Sequence, residues 1–240
     1  MFFTSRREIM VCGVMRSGTN LAKHIITGHS RCTVVFNKYW WKHAPFPFLQ
    51  RPGERYDHKR FAVIIKDPIH WTRSIYNYYA SKSAYGVDGK DYSDFIRSPF
   101  VLKDDSKYSI SPAYRFENPL SYYNQFYLSY LSVEARLNIK LLRYEDMAQN
   151  PEAFLEQMVL PKERLPGAVT VPEQPVRPSS DRRKTKFDEG QPSAYPEVSK
   201  ADFDFISAET DTDLLMRFHY LEHRPAPARR LEVVRNAARV

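Results

Sequence analysis

The stretch Ile9-Met10-Val11-Cys12-Gly13-Val14-Met15-Arg16-Ser17-Gly18-Thr19-Asn20 decides the fold. Its first five residues are a short apolar run closed by glycine, the pattern of a buried strand. Residues 18–29, with Leu21, Ile25 and Ile26 at helical spacing, read as a helix. A strand, a tight turn and a helix N-terminus present several backbone N–H groups to one anion. Thr19 and Asn20 add side-chain hydrogen-bond groups, and Arg16 adds a permanent charge with a planar fork of donors. The stretch satisfies G-x-x-x-x-G-T. It departs from the nucleoside-triphosphate loop, where a lysine stands between the second glycine and the hydroxyl residue.

Working outward, Cys32-Thr33-Val34-Val35-Phe36 is β-branched and predicts a second strand. Residues 37–60 are aromatic, basic and without period, and read as a loop. Phe61-Ala62-Val63-Ile64-Ile65 is the strongest strand signal, and its lack of alternation suits a strand covered on both faces. Pro68 stands at a helix start, and residues 69–82 read as that helix. Residues 83–118 are polar and irregular, with a short helix near 91–97. Pro119 opens an aromatic-rich helix over 119–132, Ile139-Lys140-Leu141-Leu142 is another strand, and Pro151 opens a helix to about residue 160. Residues 161–198, rich in proline and charge, read as a long loop or lid. Residues 200–221 are mostly helical, and 222–240 form an Arg-rich tail. The alternation predicts an α/β fold, one domain over 1–221 with a mainly parallel central sheet flanked by helices. Ligands of such sheets lie at the carboxyl ends of the strands, here just after Gly13, Phe36, Ile65 and Leu142.

The composition agrees. In 240 residues, 42% hydrophobic and 27% charged, one large core is feasible, which excludes wholly disordered, collagen-like and membrane-embedded chains. No apolar run reaches spanning length, and residues 1–7 hold no apolar segment of signal-peptide length, so the expected location is cytoplasmic. Cys12 and Cys32 read as reduced packing thiols. Thirty-six basic against 28 acidic residues leave a net charge of +8, which points to an anionic partner. Nucleic acid, an acidic glycan, a nucleotide cofactor and an anionic lipid surface all fit the charge alone.

Two further strand ends carry chemistry. Lys66-Asp67-Pro68 closes the strongest strand, and Ser74 follows Lys66 by eight positions. A cation at a strand tip and a hydroxyl two helical turns beyond suit one anion. Leu142-Arg143-Tyr144-Glu145-Asp146-Met147 closes another strand. Together with Arg16-Ser17-Gly18-Thr19, these segments resemble the sulfotransferase family that uses 3′-phosphoadenosine-5′-phosphosulfate (PAPS).

The resemblance covers residues 8–160. It implies a P-loop-like α/β domain, no metal, PAPS as sulfuryl donor, and adenosine-3′,5′-bisphosphate as product. Arg16, Ser17, Gly18, Thr19 and Asn20 correspond to the 5′-phosphosulfate loop, Lys66 and Ser74 to the 3′-phosphate site, and Tyr144 to the tyrosine near the adenine. Arg182-Arg183-Lys184 is similar to a late 3′-phosphate motif, with Thr185 where the family has glycine. Arg16 stands where many members have lysine, and Leu21 where the cytosolic branch has tryptophan.

Arginine cannot donate a proton to a leaving group, because its pKa is too high. Catalysis is then expected to rest on electrostatics there and on a base at the acceptor. Among seven histidines, His43 lies beyond the second strand on the binding edge, and its ordinary pKa suits a neutral-pH base. Its neighbours Tyr39, Trp40 and Trp41 suit either acceptor stacking or core packing. The expected acceptor is a hydroxyl compound (a glycan, a lipid-linked sugar or a small molecule), with no nucleic acid partner. Two other readings stay open: a P-loop nucleotide kinase, and a non-enzymatic binder of anionic surfaces through the basic tail.

Overall fold

A computed structural model describes residues 8–46, 56, 59–80, 90–102, 114–171 and 195–220. Arg182, Arg183, Lys184 and the tail at 222–240 lie outside the described residues, as does most of the expected lid.

The chain builds a four-stranded, all-parallel sheet from β1 (Glu8–Cys12), β2 (Thr33–Val35), β3 (Arg60–Ile65) and a fourth strand, Asn138–Arg143, in the spatial order β2, β1, β3, Asn138–Arg143. The first crossover is helix α1 (Thr19–His29), and helix α2 (Pro68–Ala80) follows β3. Next come α3 (Tyr92–Arg97), an antiparallel pair β4 (Phe100–Leu102) and β5 (Tyr114–Phe116), and the long helix α4 (Pro119–Glu134). The fourth sheet strand is thus β6 (Asn138–Arg143). It is followed by α5 (Tyr144–Gln149), α6 (Pro151–Met158), a 3-10 turn at Pro161–Glu163, α7 (Lys200–Glu209) and α8 (Thr212–Arg217).

Helices cover both faces of the sheet. Ile9, Val11, Ala62 and Ile64 pack against Ala22, Ile25 and Ile26 of α1 and Phe154 and Leu155 of α6. The alternate residues Met10, Cys12, Phe61, Val63 and Ile65 face the other way, onto Trp71 and Ile75 of α2 and the aromatic stripe of α4. That two-sided burial explains why β3 reads as an unbroken apolar run. Tyr122, Tyr123, Phe126, Tyr127 and Tyr130 of α4 are all fully buried. Each buried aromatic of this kind contributes roughly 1.5–3 kcal/mol relative to an exposed one. Their hydroxyls are satisfied: Tyr123 donates to the Lys66 carbonyl and Tyr127 to the Ile64 carbonyl, both at 2.8 Å. So α4 both fills the core and ties down the end of β3.

Most expected elements are present with ends shifted by a residue or two. The irregular region at 83–118 also contains the β4–β5 pair, which its short strands did not announce. The segment after β6 turns into a separate helix, α5, before α6 begins. Cys12 and Cys32 are free and buried, as expected of packing thiols. Among the described residues, no helix is long and apolar enough to cross a membrane.

The sheet order places a topological switch point between β1 and β3. The chain leaves β1 towards β2 on one side and returns to β3 on the other. The crevice at the carboxyl ends of β1 and β3 is where such a sheet receives a ligand.

Candidate functional site

The loop from Gly13 to Gly18 rises from β1 into that crevice and is bent by two left-handed residues. Gly18 has φ +100° and Arg16 has φ +69°. A Cβ on Gly18 would stand 2.9 Å from Tyr144 Cε2 and closer still to Cδ2, so Tyr144 packs directly on the glycine. Gly13 is equally confined, since a Cβ there would sit 2.8 Å from the Ile64 carbonyl oxygen. The loop is closed by Ser17 N–H donating to the Val14 carbonyl at 3.1 Å. Ser17 is fully buried and turned inward beside Gly13, its hydroxyl without a hydrogen-bond partner among the described residues. Gly18 is the N-cap of α1 and supplies no side-chain cap, so the first N–H groups of the helix have no cap from it. Thr19 is buried, Asn20 half-buried and Arg16 exposed.

Lys66 leaves β3 next to this loop. Its ammonium lies 4.6 Å over the Tyr144 ring. Burial pushes its pKa down to about 8, with Arg16 acting in the same direction and Glu145 and Asp67 opposing. Arg16 and Lys66 are therefore close enough to repel. Two cations held together at adjacent strand tips are the electrostatic mark of an anion site. Arg16 itself stacks 5.5 Å over Tyr78 and has no carboxylate partner among the described residues. Burial raises the Tyr144 pKa, with Glu145 and Tyr195 acting alike and Arg16 opposing.

The frame around these cations is firmly tied. Glu145 accepts from the Asp67 N–H and from the Tyr220 hydroxyl, both at 2.9 Å. Asp67 Oδ1 accepts from the N–H groups of Ile69 and His70 and so caps α2. Trp71 Nε1–H donates to the Met15 carbonyl at 2.7 Å, fastening α2 to the loop. Ser74 is buried in α2. The preceding residue, Arg73, donates to the Pro196 carbonyl at 2.9 Å and stacks 5.4 Å over the exposed Tyr195. A segment far along the chain thus returns to the edge of the site, which sequence reasoning missed. Nothing short of the tertiary contact marks Tyr195.

His43 occupies the other flank. Its Nδ1 lies 2.6 Å from the Gly13 carbonyl oxygen. A carbonyl only accepts, so Nδ1 carries the proton and Nε2 keeps a free lone pair. Burial lowers the His43 pKa to about 3; the charge of Lys42 acts in the same direction and the Gly13 carbonyl opposes. The imidazole is neutral at physiological pH, but a pKa this low makes it a much weaker base than the ordinary imidazole that the sequence suggested. Its loop is pinned on three sides. Gly13 N–H donates to the Lys42 carbonyl at 3.1 Å, Lys42 N–H to Asn37 Oδ1 at 2.9 Å, and the Tyr122 hydroxyl to the His43 carbonyl at 2.7 Å.

The adjacent tryptophans do core packing. Trp40 is buried, stacks on Phe61 at 5.4 Å and donates to the Tyr130 hydroxyl at 2.8 Å. Trp41 is buried edge-on to His43. Lys42, which the sequence reading expected only to act on the His43 pKa, also reaches Thr19 Oγ1 at 3.3 Å.

The structure thus gathers Arg16, Gly18, Thr19, Lys66, Tyr144 and His43 around one crevice, from three strand ends and the loop after a fourth. The chain matches no family model and no curated protein sequence at a significant level.

Proposed function

We propose that the protein is a PAPS-dependent sulfotransferase, a P-loop-like domain that moves a sulfuryl group to a hydroxyl acceptor. The observation that carries the reading is the pairing of Arg16 with Lys66 at neighbouring strand tips, beside an uncapped helix N-terminus. Such a site suits a ligand with two separate phosphate groups. The residues fit the donor on two further counts. Tyr144 packs beneath Gly18 at the floor of the crevice, where the resemblance puts the adenine, and Arg16 has no carboxylate partner among the described residues.

In this reading, the α1 N-terminus, Thr19 and Arg16 hold the 5′-phosphosulfate, and Lys66 with Ser74 holds the 3′-phosphate. Arg16 stabilises negative charge as the sulfur–oxygen bond to the phosphate breaks. It does so by charge and hydrogen bonding, without giving up a proton. His43 Nε2 accepts the proton of the acceptor hydroxyl as its oxygen bonds to sulfur. The Gly13 carbonyl fixes the tautomer that makes this possible. When bound, PAPS supplies the activated sulfuryl group. The chain's own residues supply orientation and charge.

The experiment compares the bisphosphate with adenosine-5′-monophosphate on wild type and Lys66→Ala. A charge-assisted hydrogen bond contributes about 1.5–3 kcal/mol, so the 3′-phosphate should improve wild-type affinity roughly ten- to a hundredfold. Lys66→Ala should lose most of that gain. Equal wild-type affinity for the two nucleotides refutes the assignment.

A further inference from the structure

Two lysines converge on one ring on the His43 side of the crevice. Lys42 Nζ lies 3.7 Å and Lys23 Nζ 5.3 Å from the centroid of Phe36. Phe36 directly follows β2, Lys23 lies one turn into α1, and Lys42 directly precedes His43, so three parts of the chain build the cluster. Neither lysine has a carboxylate ion-pair partner among the described residues. Basic residues elsewhere differ: Lys38 pairs with Glu8, Arg60 with Glu163, Arg97 with Asp202 and Arg217 with Glu134.

Lys42 is not free to swing away from its neighbour. Its N–H and carbonyl are both engaged, to Asn37 and Gly13, and its ammonium touches Thr19. Burial lowers its pKa to about 8, with Lys23 acting in the same direction and Cys12 opposing. A fixed, desolvated cation beside a second cation is unfavourable until an anion joins them.

We infer that Lys23, Lys42 and Phe36 form an anion-holding subsite for the acceptor, which is a hydroxyl compound carrying a carboxylate, sulfate or phosphate near the reacting hydroxyl. The word acceptor rests on the sulfotransferase reading; the anion subsite does not. Lys42 adjoins His43 in the chain, its charge acts on the His43 ring, and its ammonium reaches Thr19 of the same loop. The anionic group and the reacting hydroxyl therefore belong to the same or neighbouring sugar units of a glycan, or to one small molecule. Phe36 offers its face to the carbon skeleton between them.

The test uses protein saturated with adenosine-3′,5′-bisphosphate, titrated at fixed ionic strength with four probes: methyl glucoside, methyl glucuronide, glucose 6-sulfate and glucose 6-phosphate. At least one anionic probe should bind about tenfold or more tighter than the glucoside, as charge-assisted contacts to two ammoniums predict. Their ranking identifies which anion the subsite takes. Lys23→Gln, which keeps the stem over Phe36, should remove most of the preference and leave bisphosphate affinity unchanged. Equal or undetectable binding of all four probes overturns the inference, as does a preference that survives both Lys23→Gln and Lys42→Gln. If Lys42→Gln weakens only the bisphosphate, Lys42 serves the donor and the inference fails. A protein that rejects the bisphosphate yet keeps a Lys23-dependent preference upholds the subsite and refutes the sulfotransferase reading. Bisphosphate binding with no sugar preference does the reverse.

Discussion

Gly18→Ala perturbs the point on which the site's geometry turns. Two costs add. The backbone at φ +100° sits in the left-handed region, which costs an L-residue with a Cβ roughly 1–2 kcal/mol. The new Cβ also meets the Tyr144 ring, at 2.9 Å from Cε2 and less from Cδ2. A ring is not the far end of a flexible chain, so it must shift as a body, and overpacking of this kind costs about 1–3 kcal/mol. Taking about 3 kcal/mol in all, the melting temperature should fall by roughly 6–12 °C for a chain of this size. Gly28→Ala is the internal control. It lies in α1 with nothing within 4 Å of the added Cβ and no positive φ, so it should stabilise by about 0.5–1 kcal/mol. Thermal and urea unfolding of the two variants measure the difference. If Gly18→Ala unfolds within about 0.5 kcal/mol of wild type, Tyr144 does not pack on Gly18 as described, and the floor of the site is wrong.

Arg16→Ala should leave stability within about 0.5 kcal/mol, because the side chain is exposed, yet slow sulfuryl transfer by about a hundredfold or more; a fully active variant removes it from catalysis. His43 should show no imidazole titration by NMR between neutral pH and the region of its lowered pKa near 3. In the unfolded chain it protonates near its ordinary value, so the unfolded state binds more protons between the two. Stability should therefore decline as pH falls through that window, and His43→Asn should lack this part of the decline. The Asn amide can still donate to Gly13, while loss of Nε2 should cost turnover a factor of about 10² to 10⁴. Bisphosphate affinity should weaken as pH rises through about 8, where Lys66 loses its charge in the free protein. The same titration on Lys66→Ala should be shallower, and identical slopes would exclude Lys66 from the anion site.

What the sequence made legible follows from sheet physics. β1 and β3 are covered on both faces, so they appear as unbroken apolar runs closed by Gly13 and Lys66. Those closures are also where ligand-facing residues must stand. Pro68, Pro119 and Pro151 each mark a helix start because the missing N–H costs nothing there. Other features leave no local trace. β4 and β5 have three residues each and lie eleven residues apart in the sequence, too short and too far apart to read as a hairpin. α5 begins at Tyr144 straight from β6, and its N-cap Arg143 makes no capping bond. Trp40 and Trp41 were ambiguous between stacking on a ligand and filling a core, because both uses need a large flat side chain. Their partners Phe61 and Tyr130 are remote in the chain. Lys23, Tyr195 and the place of Lys42 beside Phe36 were missed for the same reason. A lone lysine or tyrosine acquires meaning only when three separate elements bring it beside Phe36 or Arg73.

The central claim is that the crevice between β1 and β3 holds a nucleotide with a 3′-phosphate. Isothermal titration with adenosine-3′,5′-bisphosphate and with ATP, each in magnesium-free and in magnesium-containing buffer, tests it most directly. Tight one-to-one binding of the bisphosphate and weak or no binding of ATP is the predicted result. Binding of ATP that requires magnesium, with the bisphosphate rejected, would contradict it and point to a nucleotide kinase instead.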